Sequence, residues 1–192
     1  MTTLTASVGG KTQPLIQRTV TLTLSGPVTR TSSVITNFLG QVKLPLDLPI
    51  GTYSITATFD QDETYLGTTS GPTTIKVIWP FTGFFSPVDN LPVLNVTKAG
   101  STVPVKFSLG GDRGLLIFAP GYPGATKIAC QSGAPVDTIE ETNTSNSGLT
   151  YDATTKQYKY NWKTPKTYLG SCYRLDLKFV DGRTYSANFQ FK

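Results

Sequence analysis

The chain has 192 residues, 15% of them charged, a formal net charge of +5, two cysteines and no histidine. Without histidine there is no Ser-His-Asp or Cys-His nucleophile arrangement, the commonest general base is missing, and nearly all zinc sites are excluded. No run of about 20 apolar residues exists to span a membrane as a helix. The basic residues are scattered, without the clustered stripe of a nucleic-acid binder, and the charge points to anionic surfaces such as acidic polysaccharide or phosphate-bearing wall polymer.

The opening, MTTLTASVGG, has neither a basic start nor an apolar stretch, so an exported protein would carry its leader ahead of this chain. From Thr19 the sequence alternates with the period of a strand. Val20, Leu22 and Leu24 share one face and Thr19, Thr21 and Thr23 the other. The next runs place Val42, Leu44, Leu46 and Leu48 inward, then Tyr53, Ile55, Ala57 and Phe59, then Ile75, Val77 and Trp79. Gly, Pro and Asn separate these runs, as an all-β sandwich requires. The stretch LPIGTYSITATFDQDETYLGTTS resembles a bacterial Ig-like repeat, and the resemblance implies an Ig-like domain over residues 1–79. Its acidic turn, Asp60, Asp62 and Glu63, offers hard oxygen ligands for calcium. The spacing is not that of an EF-hand, and a solvated turn is the plainer reading. Glu140 and Glu141 give a weaker version of the same suggestion.

WPFTGFFSPVDNLP, residues 79–92, breaks the alternation and marks the junction. Its rings Trp79, Phe81, Phe84 and Phe85 suit either an exposed binding platform or a packed seam between domains, and a short stiff linker favours the seam.

Alternation then resumes. Val103, Val105, Phe107 and Leu109 share a face, as do Tyr158, Tyr160 and Trp162, then Tyr173, Leu175, Leu177 and Phe179, then Tyr185, Ala187, Phe189 and Phe191. Asp152 to Gln157 and Asp181-Gly182 read as hairpin turns. The Tyr158, Tyr160 and Trp162 stripe is a core face or a sugar-stacking platform. Lys159, Asn161 and Lys163 on its reverse favour the core reading. Pro104-Val105-Lys106-Phe107, SLGGDRGLLIFAPGYP, Cys130, YDATTKQYKYNWKT, Cys172 and ANFQFK together resemble the bacterial PxKF-type domain of exported proteins. That resemblance covers nearly all of residues 83–192. It implies export and a second β-sandwich over 80–192, and carries no catalytic or ligand residues.

Gly110, Gly111 and Gly114 do not form a phosphate cradle. A glycine loop of that kind opens a helix, and LLIFAPGYPG after Gly114 is too short and too rich in Pro and Gly. A bend or bulge between two strands is expected instead. Asn95-Val96-Thr97 and Asn143-Thr144-Ser145 fit the glycosylation pattern, which a chain this rich in Thr and Ser matches by chance. Two cysteines in a low-charge β chain read as one disulfide, Cys130 with Cys172. Cys172 has the strand parity of Arg174, Asp176 and Lys178, so the bridge is expected at a strand start. Lys106 and Asn188, with Asp176 as assisting acid, occupy positions where some surface domains form a Lys–Asn isopeptide. All three lie on polar faces, whereas that chemistry needs a buried site.

The expectation is therefore an all-β chain of two tandem antiparallel, Ig-like sandwiches, with no catalytic, cofactor or metal residues. Its function would be an extracellular, non-catalytic structural or adhesion module. The alternative is a carbohydrate-binding module. The expected partners are copies of itself or an anionic polysaccharide, with neither nucleic acid binding nor membrane insertion. Trp79, Phe81, Phe84, Phe85, Phe189 and Phe191 are the candidate interaction surface, with ANFQFK as an edge strand open to pairing.

Overall fold

The computed structural model describes residues 2–3, 5–8, 11–43, 47–130, 136–138 and 148–192. Leu44, Leu46, Glu140, Glu141 and the motif Asn143-Thr144-Ser145 lie outside them. The fold is all-β, built mostly from antiparallel sheets. By internal contacts the chain forms two compact units, Met1–Ile78 and Trp79–Lys192.

The first unit contains β1 (Thr2–Thr3), β2 (Thr5–Val8), β3 (Lys11–Pro14), β4 (Thr19–Ser25), β5 (Arg30–Ile35), β6 (Gln41–Val42), β7 (Gly51–Phe59), β8 (Thr68–Thr69) and β9 (Thr73–Val77). Its main sheet runs β5-β4-β7, with β8 and β9 both pairing with β7. Alternation in β4 and β7 directs Val20, Leu22, Ala57 and Phe59 inward, where Leu15 and Val42 cover them. Arg18 Nε lies 3.0 Å from the Asp62 carboxylate, and the guanidinium sits over the Tyr65 ring. This ties the acidic turn to the strand entry.

The second unit contains β10 (Thr82–Phe85), β11 (Leu94–Thr97), β12 (Thr102–Ser108), β13 (Gly124–Ile128), β14 (Val136–Thr138), β15 (Gly148–Asp152), β16 (Gln157–Lys163), β17 (Cys172–Lys178) and β18 (Thr184–Phe191), with a 3-10 turn at Lys166–Tyr168. A four-stranded sheet, β10-β12-β16-β15, packs on a five-stranded one, β13-β17-β18-β11-β14. Facing side chains of the two sheets form one core, in which Val103, Val105, Phe107, Tyr158 and Trp162 meet Leu175, Leu177, Ala187, Phe189 and Phe191. Many contacts are between rings, Trp162 edge-on to Phe189 and Phe191 among them. Aromatic pairs in such arrangements add about 0.5–1.5 kcal/mol beyond their buried area.

Two features differ from the reading of the sequence. The five-stranded sheet is mixed, because β11 runs parallel to both β18 and β14. The terminal strand is central: β18 pairs with β17 on one side and β11 on the other. The last strand therefore has no free edge, and Phe189 and Phe191 are fully buried core residues. The cause is topological, since β11 enters beside β18 and takes up the hydrogen-bonding edge that chain order alone leaves open.

Candidate functional site

The glycine cluster in the second unit is a bend with a specific anchor. Gly110 and Gly114 take φ of 73° and 74°, the left-handed region where a side chain is strained. The loop they shape is pinned on Tyr158, whose ring is buried in the core. The Tyr158 hydroxyl accepts from the Arg113 N–H and shares its own proton between Asp112 Oδ1 at 3.2 Å and the Gly114 carbonyl at 3.1 Å. Burial, the largest influence on it, pushes the phenol above its ordinary pKa. Leu115 and Leu116 follow as an exposed pair before Ile117 re-enters the core.

Several described carboxylates serve as turn caps. Asp62 accepts from the N–H groups of Thr64 and Tyr65, and these bonds, more than Arg18, hold its pKa below the usual value. Asp112 accepts from Gly114 N–H. Asp181 accepts from Trp79 N–H and Arg183 N–H. Asp152 accepts from the Thr155 hydroxyl and the Thr154 N–H, and its pKa is lowered, chiefly by Thr155. Asp176 accepts from Nε and Nη2 of the Arg174 guanidinium at 2.8 and 3.0 Å and from the Ser186 hydroxyl at 2.6 Å. Among the described residues no group of three or more His, Cys, Asp or Glu could hold a metal ion.

Cys130 and Cys172 are bonded, with Cα atoms 5.3 Å apart. Cys172 opens β17 opposite Ile128, the last residue of β13. The bridge thus ties the start of β17 to the segment just past the end of its neighbour β13, at a strand start as the parity of Cys172 suggests. Lys106 and Asn188 stand on different sheets, on faces turned from the shared core. This agrees with the polar faces in arguing against the crosslink, and Asp176 is committed to Arg174 and Ser186. Asn95 of the first glycosylation motif is fully buried and bonded to Asp89 and to the Asn188 carbonyl.

The aromatic stretch also needs correcting. Phe84 is buried in the core of the second unit, and Trp79 and Phe81 pack against that core. Phe81 stacks on Tyr185 with ring centroids 3.7 Å apart, and Trp79 meets Phe179 edge-on. What looked like linker is the first strand of a sandwich. With Phe189 and Phe191 also inside, five of the six candidate surface rings are core or core-packed. Phe85 is the exception. It is half-buried and lies outside the core cluster.

Phe85 begins a row that crosses the four-stranded sheet on its outer face. A register shift between Gly83 and Phe85 sends Phe84 inward and leaves Phe85 opposite Lys106, the action of a β-bulge. Lys106 is opposite Lys159, and Lys159 is opposite Thr150. Each lysine is flanked by inward-facing residues, Val105 and Phe107 for one, Tyr158 and Tyr160 for the other, so both ammonium stems leave by the outer face. Directly opposed side chains have Cβ atoms about 4.5–5.5 Å apart, and like charges there are destabilising. Neither lysine has an acidic partner among the described residues. The acid closest in register on this face is Asp152, opposite Gln157, and it is turned to its own hairpin. The face therefore carries two opposed lysines without an acidic partner among the described residues, beside a half-buried ring.

Comparison with protein-family models, with curated proteins and with solved structures gives no match for this chain.

Proposed function

We propose that the chain is a non-catalytic structural and adhesive module of an exported, extracellular protein, of the kind its resemblance to bacterial Ig-like and PxKF-type domains implies. The observation that carries this reading is the Cys130–Cys172 disulfide, a bond that persists in oxidising compartments. The role of so many acids as turn caps or in an ion pair supports the non-catalytic side, because general acid–base work needs a carboxylate free to reach a substrate. A carbohydrate-binding role is the second reading. It is favoured by the row of Phe85, Lys106 and Lys159.

The test is the location and thiol state of the native protein. Fractionation of the producing cells should place it in the surface or secreted fraction. Alkylation without reductant should leave both cysteines unmodified. Recovery from the cytoplasm with two reactive thiols would overturn the reading.

A further inference from the structure

We propose that the outer face of the four-stranded sheet is a binding site for a linear acidic polysaccharide, with Lys106 and Lys159 holding its anionic groups and Phe85 packing against a sugar ring. This rests on the extracellular-module reading and names the ligand class of one partly exposed face of the second unit.

Three observations carry it. First, Lys106 and Lys159 are direct cross-strand partners without a described acidic neighbour. A like-charged pair of this kind opposes the sheet's own stability, and a bound anion relieves it. Second, Phe85 adjoins Lys106 in the same row and lies outside the core, so an apolar surface stands one strand from the charge. Sugars present both kinds of surface, a C–H face and acidic or hydroxyl substituents. Third, on the flank toward the Asp152 hairpin, where Asp152 itself is committed to Thr154 and Thr155, the remaining outer-face residues are uncharged hydrogen-bonding groups. Gln157 shares the outer parity of Lys106 and Lys159; the Thr150 hydroxyl donates to the Lys159 carbonyl and the Ser108 hydroxyl to the Lys156 carbonyl, which leaves both oxygens able to accept. Such oxygens match sugar hydroxyls by accepting, and an amide by donating and accepting in turn.

The same features disfavour other polyanions. The row holds lysine, a compact point charge on a flexible stem, and not arginine, whose planar fork suits phosphate. It has one aromatic, where single-stranded nucleic acid needs a series of stacking platforms. The surface is one face of a sheet, not a helix or ribbon shaped to enter a duplex groove.

Affinity electrophoresis of the full chain tests this, with gels containing polygalacturonate, dextran sulfate, neutral dextran, polyphosphate or duplex DNA. Wild-type protein should be retarded by polygalacturonate or dextran sulfate and not by neutral dextran. The two acidic arms separate carboxylate from sulfate recognition. Lys106→Gln with Lys159→Gln should weaken retardation about tenfold, while Lys106→Arg with Lys159→Arg retains it. Lys43→Gln with Lys76→Gln, an equal charge loss on the first unit, should stay within about twofold of wild type. Phe85→Ser should weaken polysaccharide binding several-fold. Thermal melts of each variant confirm that the fold survives. Equal loss in both double Gln variants, tighter binding to polyphosphate or DNA through the same lysines, or no retardation of the wild type would each overturn the proposal. The last result would leave the fractionation and thiol outcome untouched, so the two readings fail separately.

Discussion

Tyr158 places an aromatic ring in the core and its hydroxyl under a surface loop. Removing that hydroxyl breaks its bonds to the Arg113 N–H and the Gly114 carbonyl, both on exposed residues that water can then reach. Tyr158→Phe is expected to cost about 0.5–1.5 kcal/mol in urea unfolding and to loosen residues 110–116 in hydrogen exchange. Burial raises the pKa of Tyr158, Tyr160 and Tyr168, so the fold favours their neutral form. Their contribution to stability is complete below the unfolded tyrosine value of about 10 and is lost as pH rises through the raised folded values. Melting temperature should therefore fall in alkali, and less steeply in Tyr158→Phe. At Lys159 the expectation has the opposite sign. Lys159→Thr ends the repulsion with Lys106 and should stabilise the protein by about 0.2–1 kcal/mol, measured in the same urea experiment. A gain in stability together with a loss of binding is the pattern of a residue kept for function.

At the scale of elements, the central position of β18 changes what truncation tests. Deleting residues 187–192 removes Ala187, Phe189 and Phe191 from the core together with the pairing of β11 and β17. The expected result is loss of the second unit's fold, seen as collapse of its near-UV circular dichroism, not loss of an assembly contact. Phe189→Ala alone should cost about 3–5 kcal/mol. The disulfide acts on the neighbouring edge. It closes a loop of 42 residues in sequence, and chain entropy gives about 4 kcal/mol for a loop of that length. Reduction should shift the denaturant midpoint of the second unit accordingly, and Cys130→Ser with Cys172→Ser should reproduce the shift without reductant.

For the whole molecule, each unit has a core of its own residues. Residues 79–192 include every member of the larger core cluster, from Phe84 to Phe191. Expressed alone with the disulfide formed, they should unfold cooperatively with retained aromatic near-UV signals. A molten, non-cooperative transition would show that this core needs more than its own residues. Beginning the fragment at Phe85 should fail, because Trp79, Phe81 and Phe84 contribute to that core.

Strand identity was legible from the amino-acid order because period-2 alternation is local. It assigned inward faces to Val20, Leu22 and Leu24, to Val103, Val105 and Phe107, and to Leu175 and Leu177, all buried. Parity also put the disulfide at a strand start, and the Pro/Gly bounds after Gly114 excluded a helix there. Pairing was not legible, because it joins residues far apart in the chain. Nothing in ANFQFK shows that β11 lies beside it, so the strand reads as an edge from sequence and is central in the fold. Nothing local shows that Phe84 turns inward and Phe85 outward, since a bulge breaks the alternation between them. Each of Lys106 and Lys159 can be assigned to a polar face from its own strand. Only the tertiary register, which aligns β12 with β16, makes them neighbours and turns two ordinary surface charges into a site.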